Sequence, residues 1–144
     1  MERKEFLKSI GAAAALAVTF SCLGACSQAE DFTAPDVITP DPETGALFTI
    51  DLSASSSSEL QNNGGYLILN NIVVAKNNSG NYVAATVVCS HEQKKDVIFR
   101  SNEFYCTAHG ARFDLNGKGL NNDGSNGLKI YGTSLNGTIL SITN

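Results

Sequence analysis

Two short segments carry the residues most able to do chemistry, Cys89-Ser90-His91 and Cys106-Thr107-Ala108-His109. The chain has only two histidines, and each stands beside one of these two cysteines. Thiolate and neutral imidazole are the donors that zinc and iron–sulfur clusters take, and such short spacings let both side chains of a loop converge on one metal centre. The other two cysteines, Cys22 and Cys26, lie near the start of the chain. Three readings follow from the residues. The four side chains hold a cluster, or they hold a structural zinc as a Cys2His2 set, or Cys89 and Cys106 form one disulfide in a β binding module without metal.

The elements that must position these boxes read as strands. Phe48, Ile50 and Leu52 alternate with polar neighbours, then Ser53 to Ser58 reads as a serine-rich loop. Tyr66 to Leu69 and Ile72 to Ala75 are apolar runs broken by Asn70-Asn71, and Asn78-Ser79-Gly80-Asn81 is a turn signal leading through Tyr82 to Val88 into Cys89. Between the boxes, Val97 to Arg100 and Glu103 to Cys106 flank Ser101-Asn102 as a hairpin. Leu128 to Ser134 and Thr138 to Thr143 flank Asn136-Gly137 as another. No segment has helical periodicity, so the expectation is one all-β domain over 46–144.

The spacing is therefore C-x-H, fourteen residues, then C-x-x-H followed by Gly110. This pattern on a β background resembles the Rieske [2Fe-2S] family, and the likeness extends over roughly 66–144, including Arg112-Phe113-Asp114, Gly117 and the closing hairpin. The resemblance implies an antiparallel β sandwich or barrel with a small cluster-binding subdomain formed by two ligand loops. It implies one 2Fe-2S cluster per chain, with Cys89 and Cys106 on the buried iron and His91 and His109 on the outer one. The implied function is one-electron transfer between redox partner proteins. A non-catalytic carrier, or a subunit of an oxidoreductase, is expected rather than a free-standing enzyme, since no further nucleophile, acid–base pair or mononuclear iron site is visible.

Respiratory members of the family carry an extra cysteine in each box, a serine after His-Gly and an aromatic hydroxyl two positions later. Here Gln93, Lys94 and Thr107 stand in the cysteine neighbourhoods, and Ala111 and Phe113 replace the hydroxyls. The glycine- and proline-bearing loop of those members is replaced by Asn121 to Gly127, read as surface. In these respects the site resembles the lower-potential ferredoxins of ring-hydroxylating oxygenases. Lys94, Lys95, Arg100 and Arg112 are expected on a solvated face, and Phe104 and Tyr105 in packing.

The start of the chain reads as an export segment. Arg3, Lys4 and Lys8 precede an apolar stretch from Ile10 to Phe20, too short to span a bilayer comfortably, and the segment ends Leu23-Gly24-Ala25-Cys26. That ending resembles a bacterial lipobox, which implies cleavage after 25, lipidation of Cys26 and anchoring to a membrane of the cell envelope, periplasmic or surface-exposed. The stretch Arg3 to Lys8 also resembles a twin-arginine signal with Lys in the second place. Residues 26–45, with all three prolines and five acidic residues after Cys26, read as a self-repelling tether. Beyond residue 25 the negative balance belongs to this tether, because 46–144 holds seven basic and seven acidic residues, and the formal net charge of the whole chain is −4. That balance argues against nucleic acid as a partner.

Overall fold

The computed structural model describes residues 37–38 and 45–144. The segment read as an export signal, Cys26 and most of the stretch read as a tether lie outside the described residues. A short strand, β1 (Val37–Ile38), pairs antiparallel with β2 (Ala46–Asp51). Two residues inside the segment read as tether thus lie on a sheet edge.

The serine stretch after β2 is not an open loop. Ser55–Gln61 forms a 3₁₀ helix, closed at its start by the Ser57 hydroxyl, which bonds the carbonyls of Asp51 and Ala54 at 2.7 and 2.8 Å. Gln61 Nε2 also donates to the Leu52 carbonyl, and Leu60 is fully buried. Local side-chain hydrogen bonds, rather than an apolar period, specify this turn.

Next come β3 (Tyr66–Leu69), β4 (Ile72–Lys76) and β5 (Tyr82–Thr86). Asn70 and Asn71, at φ of 50° and 62°, make the two-residue turn between β3 and β4. Positive φ at both central positions suits the twist of a hairpin, and asparagine tolerates it better than most side chains. Ser101 and Asn102 repeat the device, at 50° and 64°, between β6 (Val97–Arg100) and β7 (Glu103–Cys106). The two-residue strand β8 (Arg112–Phe113) adds to β7, giving a small antiparallel sheet in the order β6-β7-β8.

The chain closes with β9 (Ile130–Asn136) and β10 (Ile139–Thr143). Asn136 pairs with Ile139, so the turn is Gly137-Thr138 rather than Asn136-Gly137. Gly137 alone has positive φ, at 62°, the pattern of a turn with glycine first. The larger sheet is antiparallel throughout, in the order β1-β2-β10-β9-β5-β4-β3.

Strands β4 and β5 form the wall between two cores. Ile72, Val74 and Ala84 face Phe48, Ile50, Leu60, Leu140 and Ile142. Val73, Ala75 and Ala85 face Val97, Phe99, Phe104, Phe113 and the two cysteines. A strand buried on both faces needs an unbroken apolar run, which Ile72-Val73-Val74-Ala75 supplies. Phe99 and Phe104, cross-strand partners in the small sheet, meet edge to face with centroids 5.6 Å apart. The second core therefore forms the floor beneath the cysteines.

Candidate metal centre

Each Cys/His box folds into the same backbone frame. The Cys89 N–H donates to the Lys94 carbonyl at 2.8 Å, and the Gln93 N–H returns to the Cys89 carbonyl at 2.8 Å. In the second box Cys106 N–H donates to Ala111 O and Gly110 N–H returns to Cys106 O, both at 2.9 Å. In both loops the residue four places after the cysteine turns left-handed, Gln93 at φ 56° and Gly110 at φ 78°. The frames match, but the histidine falls two places after Cys89 and three places after Cys106.

The loops lie side by side. Thr107 N–H donates to the Asp96 carbonyl at 2.9 Å, tying the second loop to the end of the first. Cys89 and Cys106 are almost wholly buried, at 1% and 0% exposure, and both are free thiols. His91 and His109 are exposed, and their rings meet edge to face, 5.2 Å between centroids at 75°. Burial pushes the Cys89 thiol pKa up, the His91 and Glu92 backbone N–H groups draw it down, and the adjacent Cys106 raises it further. These two thiols share one small space, so a cation that takes both as thiolates relieves their mutual repulsion.

Carboxylates stand at the outer edge of both rings. Glu92 Oε2 is 3.4 Å from His109 Nε2, and Asp123 Oδ1 is 4.0 Å from His91 Nε2. Lys94, 3.1 Å from the same Glu92 oxygen, holds that carboxyl below its ordinary range, with the two imidazoles contributing.

A third loop supports the second box. The Asn121 amide donates to Gly110 O at 2.8 Å, while its oxygen accepts from Arg112 N–H at 3.0 Å and from Gly124 N–H at 3.1 Å. Asn126 Nδ2 reaches the Ser90 carbonyl at 3.4 Å. Gly124 packs so tightly on the Arg112 carbonyl that a methyl group there would overlap it. The asparagine-rich stretch is surface as read, with Asn121, Asn122 and Asn126 exposed, and it also braces both ligand loops. A run of asparagines signals a loop, but which of them bonds across to another loop depends on a partner distant in sequence.

All four sequence candidates, Cys89, His91, Cys106 and His109, come together, thiols inside and imidazoles outside. Of the expected basic face, Lys94 pairs with Glu92, Arg112 pairs with Glu103 through two 2.8 Å bonds, and Arg100 stacks over Tyr105 at 3.7 Å. Sequence reasoning missed Asn121, Glu92 and Asp123. Ala111 and Phe113 are fully buried beside the cysteines and bring no hydroxyl.

The donor chemistry fits an iron–sulfur centre. Two soft sulfurs lie in a low-dielectric interior and two imidazoles at its rim, and the buried hydroxyl of Ser90, which follows Cys89 and precedes His91 in the chain, has no protein partner. An all-β domain with such paired Cys/His loops is of the class that carries a mixed-ligand cluster. The Rieske [2Fe-2S] domain model matches residues 51–132, and the chain belongs to this family. Membership brings a 2Fe-2S cluster as cofactor, an electron-carrying role, and exchange of electrons with redox partners.

No curated protein has significant sequence similarity to the chain. Among similar solved structures is a naphthalene 1,2-dioxygenase bound to phenanthrene, 22% identical with a TM-score of 0.49, the match covering 60% of this chain and 24% of that one. This chain therefore corresponds to about a quarter of that dioxygenase chain. The ferredoxin of carbazole 1,9a-dioxygenase from Nocardioides aromaticivorans is 20% identical with a TM-score of 0.49, over 59% of this chain and 91% of its own. The cyanobacterial plasma membrane Rieske protein PetC3 from Synechocystis is 26% identical with a TM-score of 0.46, over 60% and 93%.

Proposed function

We propose that Cys89 and Cys106 bind one iron of the cluster and His91 and His109 the other, and that the chain works as a one-electron carrier held to a bacterial membrane by a lipid on Cys26. The observation that carries the ligand assignment is the convergence of two identically framed loops, with both thiols buried and both imidazoles exposed.

The bound cluster supplies a centre that takes up and returns a single electron. The protein residues set the terms. Buried thiols keep water from the inner iron, and the shared backbone frame fixes their spacing. The exposed imidazoles form the face nearest a partner, so electrons enter and leave there. Neutral imidazole in place of thiolate removes negative charge, which raises the potential above that of an all-cysteine site. Glu92 and Asp123 act the other way, placing negative charge beside each ring.

The anchoring proposal rests on the lipobox-like ending at Cys26. With Val37–Ile38 paired on the sheet edge, the chain between Cys26 and Val37 is short enough that their separation is at most about 40 Å. That length keeps the domain near the membrane and suits a partner embedded in it.

Two experiments test this reading. A reductive titration of the purified protein should consume one electron per chain with bleaching of the visible absorbance, and no uptake overturns the carrier role. In cells, Cys26→Ala should move the protein from the membrane fraction to the soluble fraction with its absorbance unchanged. Sedimentation of that variant wholly with membranes in high salt overturns the lipid anchor.

A further inference from the structure

We infer that the Ser90 hydroxyl donates a hydrogen bond to a sulfur of the bound cluster and so raises its reduction potential. The inference rests on the ligand assignment above and adds to it a residue that positions charge.

Ser90 stands between Cys89 and His91, a ligand of each kind. Among the described residues its Oγ is the only buried side-chain nitrogen or oxygen without a hydrogen-bond partner. Burying a hydroxyl without an acceptor is costly, so such a group calls for a missing partner. The hydroxyl of the second ligand loop is already committed as a donor: Thr107 Oγ1 donates to the Asp96 carbonyl at 3.3 Å.

The backbone around Ser90 is also committed. The Cys89 N–H and carbonyl close the loop frame, and the Ser90 carbonyl takes the Asn126 amide. The hydroxyl is therefore not engaged in a cap or a turn. Neither cysteine sulfur is its partner in the protein alone, so the acceptor arrives with the cofactor, and inorganic sulfide is the acceptor the chain does not itself supply. Ala111 and Phe113 have no hydroxyl to offer. Ser90 then supplies a side-chain O–H to the sulfurs from the first ligand loop. Such a bond is stronger to the reduced, more negative cluster, which favours reduction.

The test compares wild type, Ser90→Ala and Ser90→Thr, each loaded and assayed for iron and acid-labile sulfide, by voltammetry at one pH. Ser90→Ala should lower the equilibrium constant for reduction about tenfold, which for one electron is about 59 mV, and Ser90→Thr should stay at the wild-type value. Resonance Raman in deuterium oxide gives a second readout. The bridging Fe–S stretches should shift less in Ser90→Ala than in wild type. If Ser90→Ala does not load, Ser90→Cys keeps the volume with a weak donor and should also show a lowered potential. Equal potentials across cluster-bearing variants overturn the Ser90 role alone. A wild-type protein that takes up neither iron nor sulfide overturns the ligand assignment, and this inference with it.

Discussion

His91 and His109 come from different loops yet meet edge to face, with ring centroids 5.2 Å apart. Each ring also has a carboxylate of its own, Asp123 for His91 and Glu92 for His109. On the proposed assignment one iron has these two imidazoles as its only protein ligands. His91→Ala and His109→Ala should therefore each lose the mixed-ligand absorption and EPR spectrum while the β domain still folds, as read by far-ultraviolet circular dichroism. An unaltered spectrum in His109→Ala would remove that residue from the centre.

The reduction potential should lie well below the top of the Rieske range of roughly −150 to +300 mV. Ala111 and Phe113 are both fully buried next to the cysteines and donate nothing. A hydrogen bond that favours the reduced state by about 1–2 kcal/mol corresponds to roughly 40–90 mV for one electron. Ala111→Ser with Phe113→Tyr should raise the potential, since each new hydroxyl gives the sulfurs a donor. Voltammetry at one pH checks this, and a wild-type value near the upper limit would contradict it.

Asn121 holds three backbone groups at once, two of them in the segment following His109. Asn121→Ala should cost about 1–3 kcal/mol in urea unfolding and hasten loss of the cluster, because Gly110 is released. Asn121→Asp keeps the acceptor but loses the donor to Gly110, so it should fall between. Wild-type stability in Asn121→Ala would show that solvent replaces all three bonds.

Gly110 turns at φ 78° with room for a methyl group, whose nearest neighbour would be the Tyr105 hydroxyl at 3.6 Å. The cost of Gly110→Ala is thus backbone strain rather than collision, about 1–2 kcal/mol, or a fall in Tm of several degrees for a domain of this size. Gln93 occupies the matching place at φ 56°, so Gln93→Gly should stay within about 1 kcal/mol of wild type, relief of strain offsetting the greater freedom of the unfolded chain. A neutral Gly110→Ala would contradict the frame described for the second loop.

Much of this molecule was legible because its signals are local. The alternation around Phe48, the Asn70-Asn71 and Ser101-Asn102 turns and the two Cys/His boxes each lie within a few residues, and each stands where the patterns place it. The 3₁₀ helix at Ser55–Gln61 escaped because hydroxyls bonding back to Asp51 and Ala54 make it, and a serine run by itself looks like a loop. The hairpin at Gly137-Thr138 was misplaced by one residue, because Asn-Gly is a strong turn pair and register is decided by pairing with the neighbouring strand. Asn121, Glu92 and Asp123 were missed for one reason. Their roles arise only once separate loops come together, and nothing in their own neighbourhoods marks them.

Pulsed EPR of the dithionite-reduced protein, on a sample assayed for iron, acid-labile sulfide and zinc, tests the ligand assignment most directly. The account predicts iron and sulfide in equal amounts, two of each per chain, and hyperfine couplings from two coordinated imidazole nitrogens that disappear together with the cluster in His91→Ala and His109→Ala. A colourless protein with stoichiometric zinc, a Cys89–Cys106 disulfide, or a reduced cluster without coordinated nitrogen would contradict it.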